Sequence, residues 1–364
     1  MGLIEDLSAA FVAFVIEVDD AVEARRPAGK GPWLTSVAMW RNCLQWVPAG
    51  GDGITVAELT ATARTPTDLH GMRRWGYVEV EGWARSASGR PPLKAVVRPT
   101  GRGALVAAIW NEVPAEAEER WGERFVATAS TGEGAHGVDP GSGAESASGG
   151  SAVAGLRAAL VDLAAALDAG LPDTMPIVRH GWATRREDEP ERRPGPVPIA
   201  ELGLDSLLAR PLAAFALEYE ATGKLSLALS ANLLAVLSPE PTPLRQLPDA
   251  TGIQREQIDN AAGYLERANL AELVPIPGAK QGKALALTER GEKAKAASAR
   301  KLARLEATWG ERHGAVLERV REALAALDVS FPDPPGTWRA EGKELACLPR
   351  FPLVTHRGGF PDGA

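Results

Sequence analysis

The sequence predicts a mainly α-helical protein with small β-wings, organised as two winged helix-turn-helix units. Three observations lead to this fold class. Residues 54–80 have the pattern of two short helices followed by a strand, and residues 93–98 have that of a returning strand. Several sequence blocks of the first half then recur in the second half. The length of 364 residues predicts two or three domains, and the 45% hydrophobic content is sufficient for buried cores.

The first half is predicted to consist of helices joined by Pro- and Gly-rich turns. Helices are expected at residues 3–23, 33–47, 55–64 and 66–75, with a Pro- and Gly-rich connector at 25–32. The wing follows, with strands at 77–80 and 93–98 around a turn at 86–91. A further helix should begin after Gly101 and continue to Phe125, with an interruption at Pro114, because proline removes a backbone donor.

Candidate nucleic-acid contacts lie on the second helix of this motif and on its wing. The helix carries polar and basic residues where a core helix would carry apolar ones: Thr65, Thr67, Asp68, His70, Arg73 and Arg74. Residues 82–102 contain no acid, and their bases include Arg85, Arg90, Lys94 and Arg98. A net charge of -7 disfavours indiscriminate nucleic-acid binding, so we expect binding through this basic wing.

A Gly- and Ser-rich stretch at residues 126–154 is predicted to be a flexible linker and a domain boundary. It contains a GxGxxG pattern at Gly132, Gly134 and Gly137. Neither a strand before it nor a helix directly after it is predicted, so we expect no dinucleotide cofactor. A short helix is predicted at 156–167, followed by an irregular connector rich in Pro, Arg and Glu.

The second half repeats blocks of the first half at similar spacing. FVIEVD at 14–19 is echoed by FALEYE at 215–220, and TGRG at 100–103 by TERG at 288–291. WGER follows at the same interval in both halves, at 121–124 and 309–312. Shared spacing across separate blocks indicates an internal duplication.

The duplication predicts a second helix-turn-helix, with helices at 242–250 and 254–268 and wing strands at 270–274 and 284–287. Its candidate DNA contacts are Gln254, Arg255, Gln257, Asn260, Lys280 and Lys283. Acidic residues on the second helix make this unit the weaker candidate.

The element order and the LTERG segment at 287–291 resemble the MarR (multiple antibiotic resistance regulator) family of winged-helix regulators, in a fused, two-copy actinobacterial form. The resemblance implies a single-chain pseudo-dimer that binds double-stranded DNA, and a small-molecule effector between the helical core and the winged units. The predicted organisation is a first unit at 1–125, a linker at 126–154, a connector at 155–201, a second unit at 202–327 and a tail at 328–364. In the connector, Arg179, His180 and Trp182 form a candidate effector site.

The predicted function is therefore that of a cytoplasmic DNA-binding transcriptional regulator. The main alternative is a winged-helix protein-interaction module that does not bind DNA. A third class is a carrier or an enzyme. It depends on the GxDSL pattern at residues 203–207, whose serine is Ser206, because some carriers hold a phosphopantetheine arm at that serine. Catalytic motifs, a metal-ligand cluster, a cofactor and a membrane span are not expected, and two distant cysteines favour a reducing compartment.

Overall fold

The computed structural model describes residues 2–25, 27, 36–65, 67–84, 90–130, 152–175, 195–276, 282–327 and 347–354. It confirms a mainly helical chain with small antiparallel sheets. The elements of the first half are α1 (Leu3–Ala24), α2 (Val37–Leu44), β1 (Ile54–Thr55), α3 (Val56–Ala63), α4 (Leu69–Arg74), β2 (Val78–Glu81), β3 (Val96–Pro99) and α5 (Gly101–Ser130).

The second half has the same order of elements after one additional helix. It comprises α6 (Ala152–Ala165), α7 (Leu204–Ala221), α8 (Leu227–Val236), β4 (Thr242–Pro243), α9 (Leu247–Thr251), α10 (Arg255–Arg267), β5 (Ala271–Pro275), β6 (Lys283–Leu287) and α11 (Glu289–Leu327). Short 3-10 turns at Ile199–Glu201 and Leu244–Gln246 precede α7 and α9.

Each half contains one three-stranded antiparallel sheet with the returning strand in the middle. The strand orders are β1-β3-β2 and β4-β6-β5. Val80 pairs with Val97 in the first sheet, and Leu273 pairs with Leu285 in the second. The first strand of each sheet was not predicted, because two residues are too few to show a period-2 pattern.

Local capping sets the start and end of α3. The backbone N–H of Thr55 donates to the Glu58 carboxylate at 3.1 Å, and the N–H of Glu58 donates to the Thr55 hydroxyl at 3.2 Å. This reciprocal pair satisfies two donors that α3 leaves unpaired. Arg64 ends the helix in a left-handed conformation with φ of 59°.

Several predicted helices differ from those observed. In place of the helix predicted at 242–250, the chain forms β4, a 3-10 turn and α9, and α6 begins at Ala152 rather than at residue 156. α4 begins at Leu69, three residues later than predicted, because Asp68 caps it; it is only six residues long. α5 runs through Pro114 and continues to Ser130, into the predicted linker. The flanking side chains of Val113 and Ala117 are fully buried, and we attribute the continuity of α5 to this packing, which offsets the hydrogen bond that proline cannot make.

The helices α1, α5, α6, α7 and α11 form a central helical core. α1 packs against α7 and α5, and α6 packs against α7 and α11. Val12, Phe14, Val15 and Ile16 are all completely buried, so α1 is covered on every side in its middle. Among the helices that the structure describes, none combines the length and the apolar character needed to cross a bilayer.

A buried glutamate joins α1 to α5 in the first half. The indole N–H of Trp121 donates to Glu17 at 2.9 Å, and Arg124 donates to the same carboxylate oxygen at 2.6 Å. The ring of Phe14 meets that of Trp121 edge-on, with 5.1 Å between centroids.

The same arrangement joins α7 to α11 in the second half. Trp309 donates to Glu218 at 3.2 Å, Arg312 donates to it at 2.8 Å, and Phe215 meets Trp309 edge-on at 5.3 Å. The repeated sequence blocks therefore occupy equivalent places and make equivalent contacts.

The joint between each wing and its long helix is also repeated. The N–H of Gly103 donates to the Thr100 hydroxyl at 3.0 Å, and that of Gly291 donates to the Thr288 hydroxyl at 3.0 Å. A Cβ atom on Gly103 would lie 2.0 Å from the Tyr77 carbonyl oxygen, and one on Gly291 would lie 1.9 Å from the Leu270 carbonyl oxygen. These carbonyls belong to the loops that lead into β2 and β5. Only glycine allows the helix to approach that loop so closely.

Candidate nucleic-acid interface

A cleft of about 780 Å³ lies between α4 and the first sheet. Its charged lining consists of three arginines and two glutamates: Arg73, Arg74, Arg98, Glu79 and Glu81. His70, which is exposed, completes the α4 side. Of the predicted contacts, the structure thus brings His70, Arg73, Arg74 and Arg98 to one concave surface.

Arg73 connects α4 to the wing. Its guanidinium donates to the carbonyl oxygens of Trp83 and Ala84, both at 3.2 Å, and lies 3.8 Å from the centroid of the Trp83 ring. These contacts fix the direction in which the wing leaves the sheet. Arg73 therefore positions the wing in this conformation, and we no longer assign it a direct role in base contact.

Two of the predicted contacts on the helix are corrected by their burial. Thr65 and Asp68 are each 6% exposed. The Asp68 carboxylate accepts a hydrogen bond from the Gly71 N–H at 3.2 Å, as a helix cap does. Thr67 is half-buried. From sequence alone, a polar residue at the start of a helix could either cap the helix or contact DNA. Asp68 caps the helix.

Among the described residues from α4 to the end of β3, the exposed bases are Arg74, Arg90 and Lys94. Within the described part of the chain, none of the three forms an ion pair. Arg98 pairs with Glu81, but both side chains remain substantially exposed, so the pair contributes at most about 1 kcal/mol and can be exchanged for another anion. Arg85 lies outside the described residues.

The second unit presents a different surface. Gln257 is completely buried: its side chain accepts from the Gln254 N–H at 2.8 Å and donates to the Leu353 carbonyl at 2.9 Å. The prediction that Gln257 contacts DNA is therefore wrong for this conformation. Gln254 caps the same helix and is half-buried.

The outer face of α10 is of mixed charge. Arg255 forms a 3.0 Å ion pair with Asp259, and the Asn260 amide donates to the Glu256 carbonyl at 3.0 Å. Lys283 is exposed on the second wing, and Lys280 lies outside the described residues. The first unit therefore offers the more basic surface, as its sequence predicts.

A buried charged cluster fixes the first helix-turn-helix to the central core. Asp173, which follows α6, pairs with Arg64 and, at 3.0 Å, with Arg210 of α7. Arg210 also donates to the carbonyl oxygens of Asp168 and Leu171, both at 3.0 Å. Burial lowers the pKa of Arg210, although the nearby Asp173 counteracts this effect. Sequence analysis missed this cluster, because its members are far apart in the chain.

A second cleft, of about 550 Å³, lies where α2, α5, α6 and the start of α7 meet. Arg157 pairs with Glu118 at 2.9 Å and donates to the Leu202 carbonyl at 2.7 Å, and Arg41 pairs with Asp205. The predicted effector residues Arg179, His180 and Trp182 lie outside the described residues. The cleft is therefore a separate candidate for a small ligand.

The carrier interpretation requires an accessible serine. Ser206 is 3% exposed in the first turn of α7, and its neighbour Asp205 is held by Arg41. A phosphopantetheine arm has no route to this hydroxyl in the folded chain. The glycines of the GxGxxG pattern lie outside the described residues.

The described residues do not form a metal site, and the Cys43 thiol is buried. No group of three or more His, Cys, Asp or Glu residues there is placed to hold a metal ion. Burial raises the pKa of the Cys43 thiol far above its ordinary value, so it stays protonated and unreactive.

Comparison with protein-family models, curated proteins and solved structures finds no match to this chain.

Proposed function

We propose that this chain is a DNA-binding transcriptional regulator built as a single-chain pseudo-dimer of two winged helix-turn-helix units. The observation that carries the proposal is the exposed basic surface of Arg74, Arg90 and Lys94 beside α4 and its wing. Unpaired bases at a wing have little structural use, whereas they suit the phosphate backbone. The repeated contacts of the two halves support the pseudo-dimer.

In this mechanism the first unit supplies most of the DNA affinity. α4 is only six residues long, so few base edges are within reach of it and phosphate contacts from the wing dominate. The second unit, whose α10 carries a mixed-charge outer face, orients the chain. The packing of α1 on α7 sets the angle between the units, and that angle governs how both meet a duplex.

A random-duplex selection followed by fluorescence anisotropy tests this proposal without a known operator. Binding should weaken steeply with salt, and the triple variant R74A/R90A/K94A should reduce the slope of log affinity against log salt by about 1 for each lost phosphate contact. Lys283→Ala is the matched control, because this lysine is equally exposed on the other wing. An equal loss with the control would refute the assigned asymmetry, and salt-independent or absent binding would refute DNA recognition.

We further propose that a small molecule sets the angle between the units from the cleft beside Arg41 and Arg157. That cleft touches both the first-half helices α2 and α5 and the start of α7, so a ligand there has contacts in both halves. Thermal shift and tryptophan fluorescence across aromatic and lipophilic compounds test this. No response from any compound would remove the sensor from the proposal and leave the DNA-binding part intact.

The second candidate function is a protein-interaction module, which the shortness of α4 and the acids of α10 favour. Glu256 and Asp259 are exposed on α10, and they suit a basic protein partner. This candidate predicts no duplex binding at any salt concentration, together with association that depends on those two carboxylates.

A further inference from the structure

We propose that residues 347–354, here called the C-terminal clamp, are an intramolecular peptide ligand. The clamp occupies a recognition groove on the second unit and fixes that unit to α1. The inference depends on the fold alone and stands whether or not the chain binds DNA. These eight residues belong to the predicted tail at 328–364, and they pack on the body of the chain.

The groove recognises the main chain of the clamp. The Asn232 amide makes two hydrogen bonds to one residue of the clamp: its oxygen accepts from the Phe351 N–H at 3.1 Å, and its nitrogen donates to the Phe351 carbonyl at 2.8 Å. The Gln257 amide donates to the Leu353 carbonyl at 2.9 Å. Asn232 and Gln257 are 3% and 0% exposed, so these hydrogen bonds are shielded from water; the Gln257 oxygen accepts from the Gln254 N–H of its own helix.

The composition of the clamp suits burial. Phe351, Leu353 and Val354 are each 1% exposed. Pro349 and Pro352 are also buried, and proline brings no N–H into an apolar site that would have to be satisfied. The clamp therefore fits this groove with few backbone N–H groups left without a hydrogen-bond partner, because it has two prolines and large apolar residues between and after them.

The groove also depends on a glycine. Gly252 has φ of +69°, and a Cβ there would lie 2.5 Å from the Cys347 carbonyl oxygen. The clamp backbone thus passes over the turn between α9 and α10 at a distance that a side chain would prevent.

The clamp reaches the other half of the chain through α1. The Ser8 hydroxyl, which is completely buried, donates to the Pro349 carbonyl at 2.8 Å, and Arg350 donates to Glu5 at 3.0 Å. The same eight residues therefore contact α1 of the first half and α8, α9 and α10 of the second. Their release frees α10 from α1 and exposes the Gln257 amide.

Hydrogen exchange on the full chain tests the clamp. Phe351→Ala should speed amide exchange in α10 on the order of a hundredfold, because a large buried anchor is lost, and leave α4 unchanged. Arg321→Ala is the control, since it removes an exposed ion pair within α11 that is not part of the clamp, and it should change exchange in α10 less than threefold. Asn232→Ala should reproduce the effect of Phe351→Ala.

A synthetic peptide of residues 347–354, added to the full-length Phe351→Ala variant, should restore protection of α10. The same peptide with alanine at Phe351 should not. Restoration also shows that the variant remains folded and that the groove persists. Unchanged α10 exchange in Phe351→Ala, or acceleration shared equally by α4, or no rescue by the peptide would each overturn the proposal.

Discussion

Asp173→Asn removes the charge that lies between two buried guanidinium groups. The side chains of Arg64, Asp173 and Arg210 are 1%, 5% and 2% exposed, so water cannot replace the lost carboxylate. Asparagine keeps the volume and one acceptor oxygen, and it therefore changes charge with little change in packing. The variant leaves two positive groups buried side by side.

The expected loss of stability is about 3–5 kcal/mol, the usual cost of removing one partner of a buried ion pair. At the 3.0 Å separation between Arg210 Nη1 and Asp173 Oδ1, an effective dielectric constant of about 20 gives a Coulomb attraction of roughly 5 kcal/mol, which is of the same order. Urea unfolding followed by circular dichroism measures this loss as a lower midpoint at an unchanged slope.

Asp162→Asn is the control with the same chemical change at an exposed ion pair. Asp162 lies 2.7 Å from Arg319, and both side chains are about half exposed. Its loss should cost under about 1 kcal/mol. If Asp173→Asn costs no more than this control, the buried cluster does not hold the first unit to the core.

Three further predictions concern the repeated contacts and one titrating group. Gly103→Ala should destabilise the chain by about 3 kcal/mol in urea, because its Cβ would meet a backbone carbonyl, whereas Gly310→Ala should stabilise α11 by about 0.5–1 kcal/mol, since open space surrounds it. Trp121→Phe should cost about 2–3 kcal/mol and Trp309→Phe less, because the glutamate partner of the latter is 32% exposed and is solvated once the bond is lost. Burial raises the pKa of Glu220 above its ordinary 4.5. The contribution of this group to stability is therefore present at lower pH and is lost as pH rises through the folded pKa. Glu220→Gln should reduce that loss in urea unfolding measured from pH 4.5 upward, and a pH profile identical to that of the unchanged chain would contradict this expectation.

Much of the secondary structure follows from local sequence signals. The capping pair of Thr55 and Glu58 starts α3 where the pattern predicts, and the alternation around Val78 and Val80 produces the expected strand. Among the boundaries that failed, Asp68 and Pro114 are positions where one residue type has two structural uses. Asp68 caps a helix, and Pro114 is tolerated inside one because its neighbours are buried.

The candidate site was predicted less completely than the fold. Sequence analysis identified the basic character of the first wing and the exposed bases Arg74, Arg90 and Lys94. Thr65 was predicted to contact DNA in the first unit and Gln257 in the second, and both are buried. Polarity alone cannot distinguish a side chain that faces solvent from one that satisfies a buried partner, because both choices place a polar residue at the same position.

The sequence by itself determined the mainly helical character, most of the helices and the two longer strands of each sheet, because periodicity, caps and turns act between neighbouring residues. The tertiary structure decided which polar groups are available for a partner. Gln257 bonds a carbonyl 96 residues away, and Arg64 pairs with a carboxylate 109 residues away. Such contacts depend on how folded elements pack, and no local pattern records them.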